Sequence, residues 1–242
     1  MKALPAAAER PCVWPLPLKQ ITTHARLMAC CFNSQQPEAF DIPECRQHGL
    51  ETWVPRRQAE YLAGRWCLQQ LLTHAGLRVP VPRRSASGAP DWPAGWTGAL
   101  THTHLPDGTG LAVAALAPVT VLHAIGLDLE PLIADKTARR IQRSILHPDE
   151  QPQIQTAADI TAVFSLKESI YKTLQTPLQR FIAFDEVSVS HLALPRIDFE
   201  PRGALAQDMP TTAPRHGQIH WLGSELCLSL YQWPVQPTES GV

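Results

Sequence analysis

The chain has almost no net charge: 21 Lys and Arg against 22 Asp and Glu leave a formal −1, with a pI near 6.8. That excludes a global field for nucleic acid or an anionic membrane, so any bound polyanion must be held by a local cluster. No apolar run approaches the ~18 residues needed to span a bilayer, and Pro5, Glu9, Arg10 and Pro11 interrupt the N-terminus before a signal-peptide core develops. Six cysteines (Cys12, Cys30, Cys31, Cys45, Cys67 and Cys227) include no C-x-x-C pair. A chain of 242 residues with 44% hydrophobic content can build a core without a disulfide framework. Reduced, mostly buried thiols and a cytoplasmic location are expected. Charge blocks, low-complexity tracts and a membrane span are all missing.

Proline is abundant instead, at 23 residues about twice its usual share, which points to many short extended connections. Residues 1–20 and 234–242 read as tails. Between Arg56 and Ala75, Tyr61, Leu62, Trp66, Leu68, Leu71 and Leu72 recur at helical spacing, with Gly76 as the stop. Residues 79–98, with Trp92 and Trp96, predict a loop, and Leu111–Val121 a strand and turn broken by Pro118. Lys136–Leu146 predicts a helix ending near His147-Pro148, and 160–175 a second helix bounded by Pro177. Val187–Ser190 and Cys227–Tyr231 alternate as strands do.

Two short segments carry the chemistry. In Gly126-Leu127-Asp128-Leu129-Glu130, period-two geometry puts Asp128 and Glu130 on one strand face, about 7 Å apart. In Phe164-Ser165-Leu166-Lys167-Glu168-Ser169-Ile170-Tyr171-Lys172, Phe164, Glu168 and Lys172 share a helical stripe. Three carboxylates with two ammonium groups suit a hard cation and a polyphosphate, since Mg²⁺ takes few protein oxygens and leaves the rest to water and phosphate. Taken singly, a D-x-E strand is commonplace and Glu168–Lys172 is an ordinary surface pair worth about 0.3–0.5 kcal/mol.

Together, about forty residues apart, the two segments resemble the G-[IV]-D-[IV]-E strand and [WF]-S-x-K-E-[SA]-x-x-K helix of the 4'-phosphopantetheinyl transferases, in the surfactin- and enterobactin-type branch. Phe164 matches the enterobactin-type members. Further segments are similar to the family's: Arg57 and Arg65 eight residues apart on one helix side, Ser87-Gly88-Ala89-Pro90-Asp91-Trp92-Pro93, and Gly98-Ala99-Leu100-Thr101-His102-Thr103. Ser87 stands where a basic residue is common, so Arg83 or Arg84 is the alternative source of charge. His102 and His104 form an H-x-H pair, but no Cys or third His completes a zinc set. The resemblance covers roughly residues 56–190.

The resemblance implies an α+β fold, a pseudo-twofold pair of similar subdomains with the site in the crevice between them. It divides the chain into an N-terminal tail (1–20), a half on the adenine and 3'-phosphate side (21–124), a half with the metal and catalytic motifs (125–233) and a C-terminal tail (234–242). It implies transfer of 4'-phosphopantetheine from coenzyme A to a serine of an apo acyl, peptidyl or aryl carrier protein of polyketide, nonribosomal peptide or fatty acid synthases. Asp128, Glu130 and Glu168 would hold Mg²⁺. Arg57, Arg65, Ser87, Gly88, Ala89, Pro90, Thr101, His102, Asp128, Glu168 and Lys172 would hold coenzyme A. Glu168, Lys172 and Lys167 would be catalytic, with Glu168, directly or through a metal-bound water, taking the serine proton. Lys167 and Lys172 point about 140° apart on a straight helix, so only Lys172 shares the Glu168 stripe and the pyrophosphate side. Lys167 then belongs to the flank, toward the carrier serine or paired with an acidic neighbour. A monomer is expected, acting in secondary-metabolite assembly such as siderophore synthesis. Two rival readings use the same residues: a Mg²⁺-dependent phosphohydrolase, and a non-catalytic coenzyme-A-binding partner of a synthase.

Overall fold

The computed structural model describes residues 10–14, 21–22, 24–46, 49–85, 88–150 and 152–236. In chain order its first half has strands β1 (Cys12–Val13) and β2 (Arg26–Asn33), the single-turn helix α1 (Pro43–Arg46), helix α2 (Pro55–His74), and strands β3 (Trp96–His104) and β4 (Thr109–Pro118). The second half has β5 (Leu122–Pro131), α3 (Asp135–Ile145), α4 (Ala157–Leu178), β6 (Val187–Ala193), β7 (Arg196–Pro201), the one-turn α5 (Leu205–Asp208), β8 (His216–Trp221) and β9 (Leu226–Pro234). Two antiparallel sheets result, ordered β1-β2-β4-β3 and β5-β9-β8-β7-β6. The fold is α+β, as the sequence predicts, and no described helix is long and apolar enough to cross a membrane.

The sheets pack face to face and each carries a long helix on its outer face. In β4 the alternation separates two cores: Leu111, Val113 and Ala115 meet Leu127, Leu129, Leu228 and Leu230 of the second sheet. Ala112, Ala114 and Leu116 point the other way, onto Leu62, Leu68, Leu71 and Leu72 of α2. The small alanines admit the helix closely, and β4 is consequently buried almost throughout. On the second sheet, Val163, Leu166, Ile170 and Leu174 of α4 cover Ile219, Cys227 and Tyr231.

Local chemistry sets the ends of both long helices. α2 begins with Pro55 in its first turn and ends in a Schellman motif. There Gly76, at φ +74°, donates its N–H to Thr73 O, and Leu77 N–H donates to Leu72 O. α4 opens with a capping box, in which Asp159 N–H donates to Thr156 Oγ1 at 3.1 Å and Thr156 N–H to Asp159 Oδ2 at 3.0 Å. It does not stop at Pro177. The proline sits in the last turn, where it forgoes the bond to the carbonyl four residues back, and the helix ends one residue later, with Gln179 in the left-handed region.

Three more expectations need correction. Trp96–Gly98, predicted as the end of a loop, open β3, because they pair with Leu116–Pro118. Cys12–Val13, within the predicted N-terminal tail, form β1 and pair with Cys30–Cys31. Cys12 and Cys31 are disulfide-bonded rather than free, since antiparallel register puts their Cα atoms 5.5 Å apart; Cys30, Cys45, Cys67 and Cys227 are free and buried.

A further correction is Lys167, predicted as catalytic. Its side chain points away from the crevice into the second core and is 2% exposed. Nζ donates to Glu150 Oε2 at 2.7 Å, Ile145 O at 2.8 Å and Phe184 O at 3.0 Å, so all three protons are used. Of the two flank positions open to it, the acidic-neighbour one is occupied. Glu150 in turn accepts from Val189 N–H at 2.6 Å, tying α4 to β6. Burial pushes the Lys167 ammonium below its ordinary range and the Glu150 charge opposes that.

Gly126 fixes how closely α4 lies on β5. A Cβ there would overlap the Ser169 carbonyl oxygen and Thr173 Oγ1. Gly126→Ala is therefore expected to cost about 1–3 kcal/mol through overpacking, read as a lower denaturant midpoint; unchanged stability would contradict the close approach. Lys167→Met, which strands Glu150, is expected to cost about 3–5 kcal/mol while folded protein keeps its coenzyme A affinity. Wild-type stability with lost coenzyme A binding would return Lys167 to the crevice.

Candidate active site

β3 is the edge of the first sheet and β5 the edge of the second, and the two run side by side. α2 closes one flank of this seam, α4 the other, and Arg84, Gly88, Ala89, Pro90 and Trp92 form a rim around a cavity of about 940 Å³. Each wall has its own chemistry.

The β5–α4 wall is acidic and poorly solvated. Gly126, Asp128 and Glu130 share the strand face opposite Leu127 and Leu129, which belong to the sheet–sheet core. With Gly126 bringing α4 near, Lys172 reaches Asp128 and donates from Nζ to Oδ1 at 2.6 Å. Asp128 Oδ2 is buried without a partner. Burial, then the Asp128 and Glu168 charges, push Glu130 up to about 8, with Lys172 opposing. Burial also raises Glu168, Lys172 opposes and Asp128 adds to the rise. The crevice thus crowds three carboxyl groups around one ammonium, and that crowding favours the protonated forms of Glu130 and Glu168.

Among the described residues, no group of three His, Cys, Asp or Glu side chains stands close enough together to hold a metal ion as placed. The donor set fits a hard cation all the same. Asp128 has an orphaned buried oxygen, and it, Glu130 and Glu168 are all-oxygen ligands whose mutual repulsion a divalent ion relieves.

The α2–β3 wall is basic. Arg65 is 4% exposed, its guanidinium stands 4.6 Å over the Tyr61 ring, and its Nε has no partner. Arg57 is half exposed and donates from Nη1 to Glu60 Oε2 at 2.8 Å. Its Nη1 also lies 3.3 Å from His102 Nε2. Since arginine only donates, Nε2 is the acceptor there and the His102 proton belongs on Nδ1. Burial holds His102 down to about 4, so it faces the crevice as a neutral ring. Thr101 is buried beside it on β3.

The rim narrows at Gly88, whose φ of +91° and lack of a Cβ let the Arg84 guanidinium lie against the backbone. Of the two arginines the sequence offers in place of a basic residue at 87, Arg84 lines the cavity.

Arg57, Arg65, Gly88, Ala89, Pro90, Thr101, His102, Asp128, Glu130, Glu168 and Lys172 all line this one cavity. Lys167 does not, and Ser87 lies outside the described residues. Sequence reasoning missed Glu60, which also lines the cavity and which bonds Arg57 and His104. Its spacing was the available signal: four residues from Arg56 and three from Arg57 on a predicted helix. Trp233 and His123, whose rings meet at a tilt with centroids 5.2 Å apart at the wall, had no sequence signal.

Known proteins share these features. Residues 46–117 match the family model of the 4'-phosphopantetheinyl transferase N-terminal domain, and 124–229 that of the 4'-phosphopantetheinyl transferase superfamily. Enterobactin synthase component D of Salmonella typhimurium is 30% identical over 197 residues, 75% of this chain and 78% of that protein. The Escherichia coli K12 protein of the same name is 31% identical over 166 residues, 62% of this chain and 75% of its own length. The 4'-phosphopantetheinyl transferase Npt of Nocardia iowensis is 25% identical over 160 residues, 64% of this chain and 69% of its own length. The phosphohydrolase and non-catalytic readings find no support among these relatives. With both crevice walls matched by models of one family, and a 30% identical relative spanned over 78% of its length, the chain belongs to the 4'-phosphopantetheinyl transferases, in their enterobactin-type branch, and transfers phosphopantetheine to carrier proteins.

Proposed function

We propose that the donor is coenzyme A, that Asp128, Glu130 and Glu168 hold Mg²⁺, and that the second product is adenosine 3',5'-bisphosphate. The observation that carries this is the buried Asp128 carboxylate, one oxygen on Lys172 and the other on nothing, beside two further desolvated carboxylates. When bound, Mg²⁺ supplies charge neutralisation on the pyrophosphate and its leaving oxygen.

The chain's own residues do the rest. Lys172, exposed by about a third on the crevice side, offers its remaining protons to phosphoryl oxygens as charge-assisted donors. Glu168, one turn earlier on the same stripe, accepts the serine proton. A carboxyl raised by burial is better matched to a hydroxyl than one at its ordinary value. Arg57, Arg65, Thr101 and His102 hold the adenosine and 3'-phosphate end, with Gly88, Ala89 and Pro90 supplying backbone and apolar surface and Arg84 the charge at the rim. Catalysis is then positioning plus electrostatics, as in other phosphoryl transfers.

The two halves divide at 124/125, a reading supported by family models that match 46–117 and 124–229 and by a first sheet that ends at Pro118 and a second that begins at Leu122. The acceptors are apo carrier proteins of siderophore-type peptide assembly, supported by the enterobactin synthase names of the relatives. The enzyme acts in the cytoplasm.

Asp128→Asn is expected to slow transfer at least ~100-fold, the effect of losing about 3 kcal/mol of charge stabilisation, and to abolish Mg²⁺-dependent stabilisation in thermal melts. Near-normal transfer by a folded Asp128→Asn enzyme would remove Asp128 from the metal set. Arg65→Ala should weaken coenzyme A by up to ~100-fold, the loss of a charge-assisted hydrogen bond, and 3'-dephospho-coenzyme A far less. Equal loss of both ligands in calorimetric titration would reassign Arg65 to adenine stacking or to the fold.

A further inference from the structure

Glu60 is out of place by charge alone. It is an acid in the wall that receives a polyanion, its side chain is only 10% exposed, and it stands among cations. Its Oε2 accepts from Arg57 Nη1 at 2.8 Å, and its Oε1 from Arg56 Nε at 3.3 Å and faces His104 Nε2 at 2.8 Å. His102 Nδ1 is 4.0 Å from Oε2, and the other side of that ring meets Arg57. Burial pushes the Glu60 carboxyl up, but the hydrogen bonds from Arg57 and His104 hold it at about 2, so it stays ionised at every working pH.

We propose that Glu60 is a positioning residue for phosphate recognition: by bonding Arg57, which also holds the neutral His102 ring, it fixes the guanidinium in the orientation that receives a coenzyme A phosphate. The proposal rests on the reading above, in which Arg57 and His102 face the coenzyme. An unrestrained arginine gives up about 2 kcal/mol of rotamer entropy on binding, and a guanidinium already clamped has less left to lose. The Arg57 fork is suited to both tasks, since one Nη1 serves Glu60 and His102 while its other donors remain for the ligand.

Charge and positioning make opposite predictions. If Glu60 acts only through its field, Glu60→Gln removes a repulsive charge and coenzyme A binds more tightly. If Glu60 positions Arg57, Glu60→Gln weakens coenzyme A although the crevice becomes more positive.

The test is calorimetric titration of coenzyme A and of 3'-dephospho-coenzyme A, with Mg²⁺, into wild type, Arg57→Ala, Glu60→Gln and the double variant, each checked by thermal melting. Each single substitution is expected to weaken coenzyme A by about tenfold, and the double to be no weaker than the worse single, because both remove one unit. The two singles should also share the same change in preference between the two ligands, which a general loss of fold would not produce. Wild-type or tighter binding by Glu60→Gln, or losses that multiply in the double variant, would overturn the proposal and leave the Arg57 reading standing. Wild-type binding by Arg57→Ala would overturn both, since Arg57 would then not touch the ligand. Should Glu60→Gln fail to fold, Glu60→Asp carries the same test, keeping the charge but withdrawing it by one methylene. Weakened coenzyme A is again expected, and undiminished affinity overturns the proposal.

Discussion

The site depends on one steric constraint: α4 must lie against β5 without a side chain between them. Gly126 supplies that contact, since any Cβ there would collide with the Ser169 carbonyl and Thr173. Two residues further along the same strand face stands Asp128, and two further Glu130. Their distance from Glu168 and Lys172 is therefore set by how deeply the helix is seated at Gly126. The glycine and the two acids form one motif because the first sets the separation at which the others meet the helix.

The same helix divides its labour by face. On one side, Lys167, Leu166 and Ile170 lock α4 to the second core, with Lys167 spending its three protons on Glu150 and two carbonyls. Underneath, Ser165 and Ser229 exchange hydrogen bonds between α4 and β9. On the other side, Phe164, Glu168, Tyr171 and Lys172 line the crevice. Rigidity on the first face allows charge to be concentrated on the second. Carboxylates that repel one another stay together only where the backbone beneath them does not yield.

Much of this was legible in the chain, and what was not has physical causes. The α2 and α4 helices and the β5 strand follow from periodicity, and the α+β doubling from the family motifs. The motif residues collect in one cavity, save Lys167, which local spacing turned off the Glu168 stripe but whose partner Glu150 is 17 residues away and recognisable only in three dimensions. The Cys12–Cys31 pairing depends on strand register, which no local pattern encodes. Pro177 misled because a proline outside the first turn costs a helix bond, yet Leu178 continues the Ile170–Leu174 spacing onto the second core and carries the helix one residue past it. Glu60 carried a signal in its spacing to Arg56 and Arg57, but the same spacing describes any surface ion pair. Only its burial, and the histidines delivered by β3 from over forty residues away, separate it from one.

The most direct test of the account is intact mass spectrometry of a panel of apo carrier proteins incubated with this enzyme and coenzyme A, with Mg²⁺ and again with excess EDTA. The account predicts that at least one carrier gains a single phosphopantetheinyl group on serine with Mg²⁺, that adenosine 3',5'-bisphosphate is released in equal amount, and that chelation abolishes both. Transfer that survives chelation, or release of the nucleotide without any carrier being modified, would contradict it.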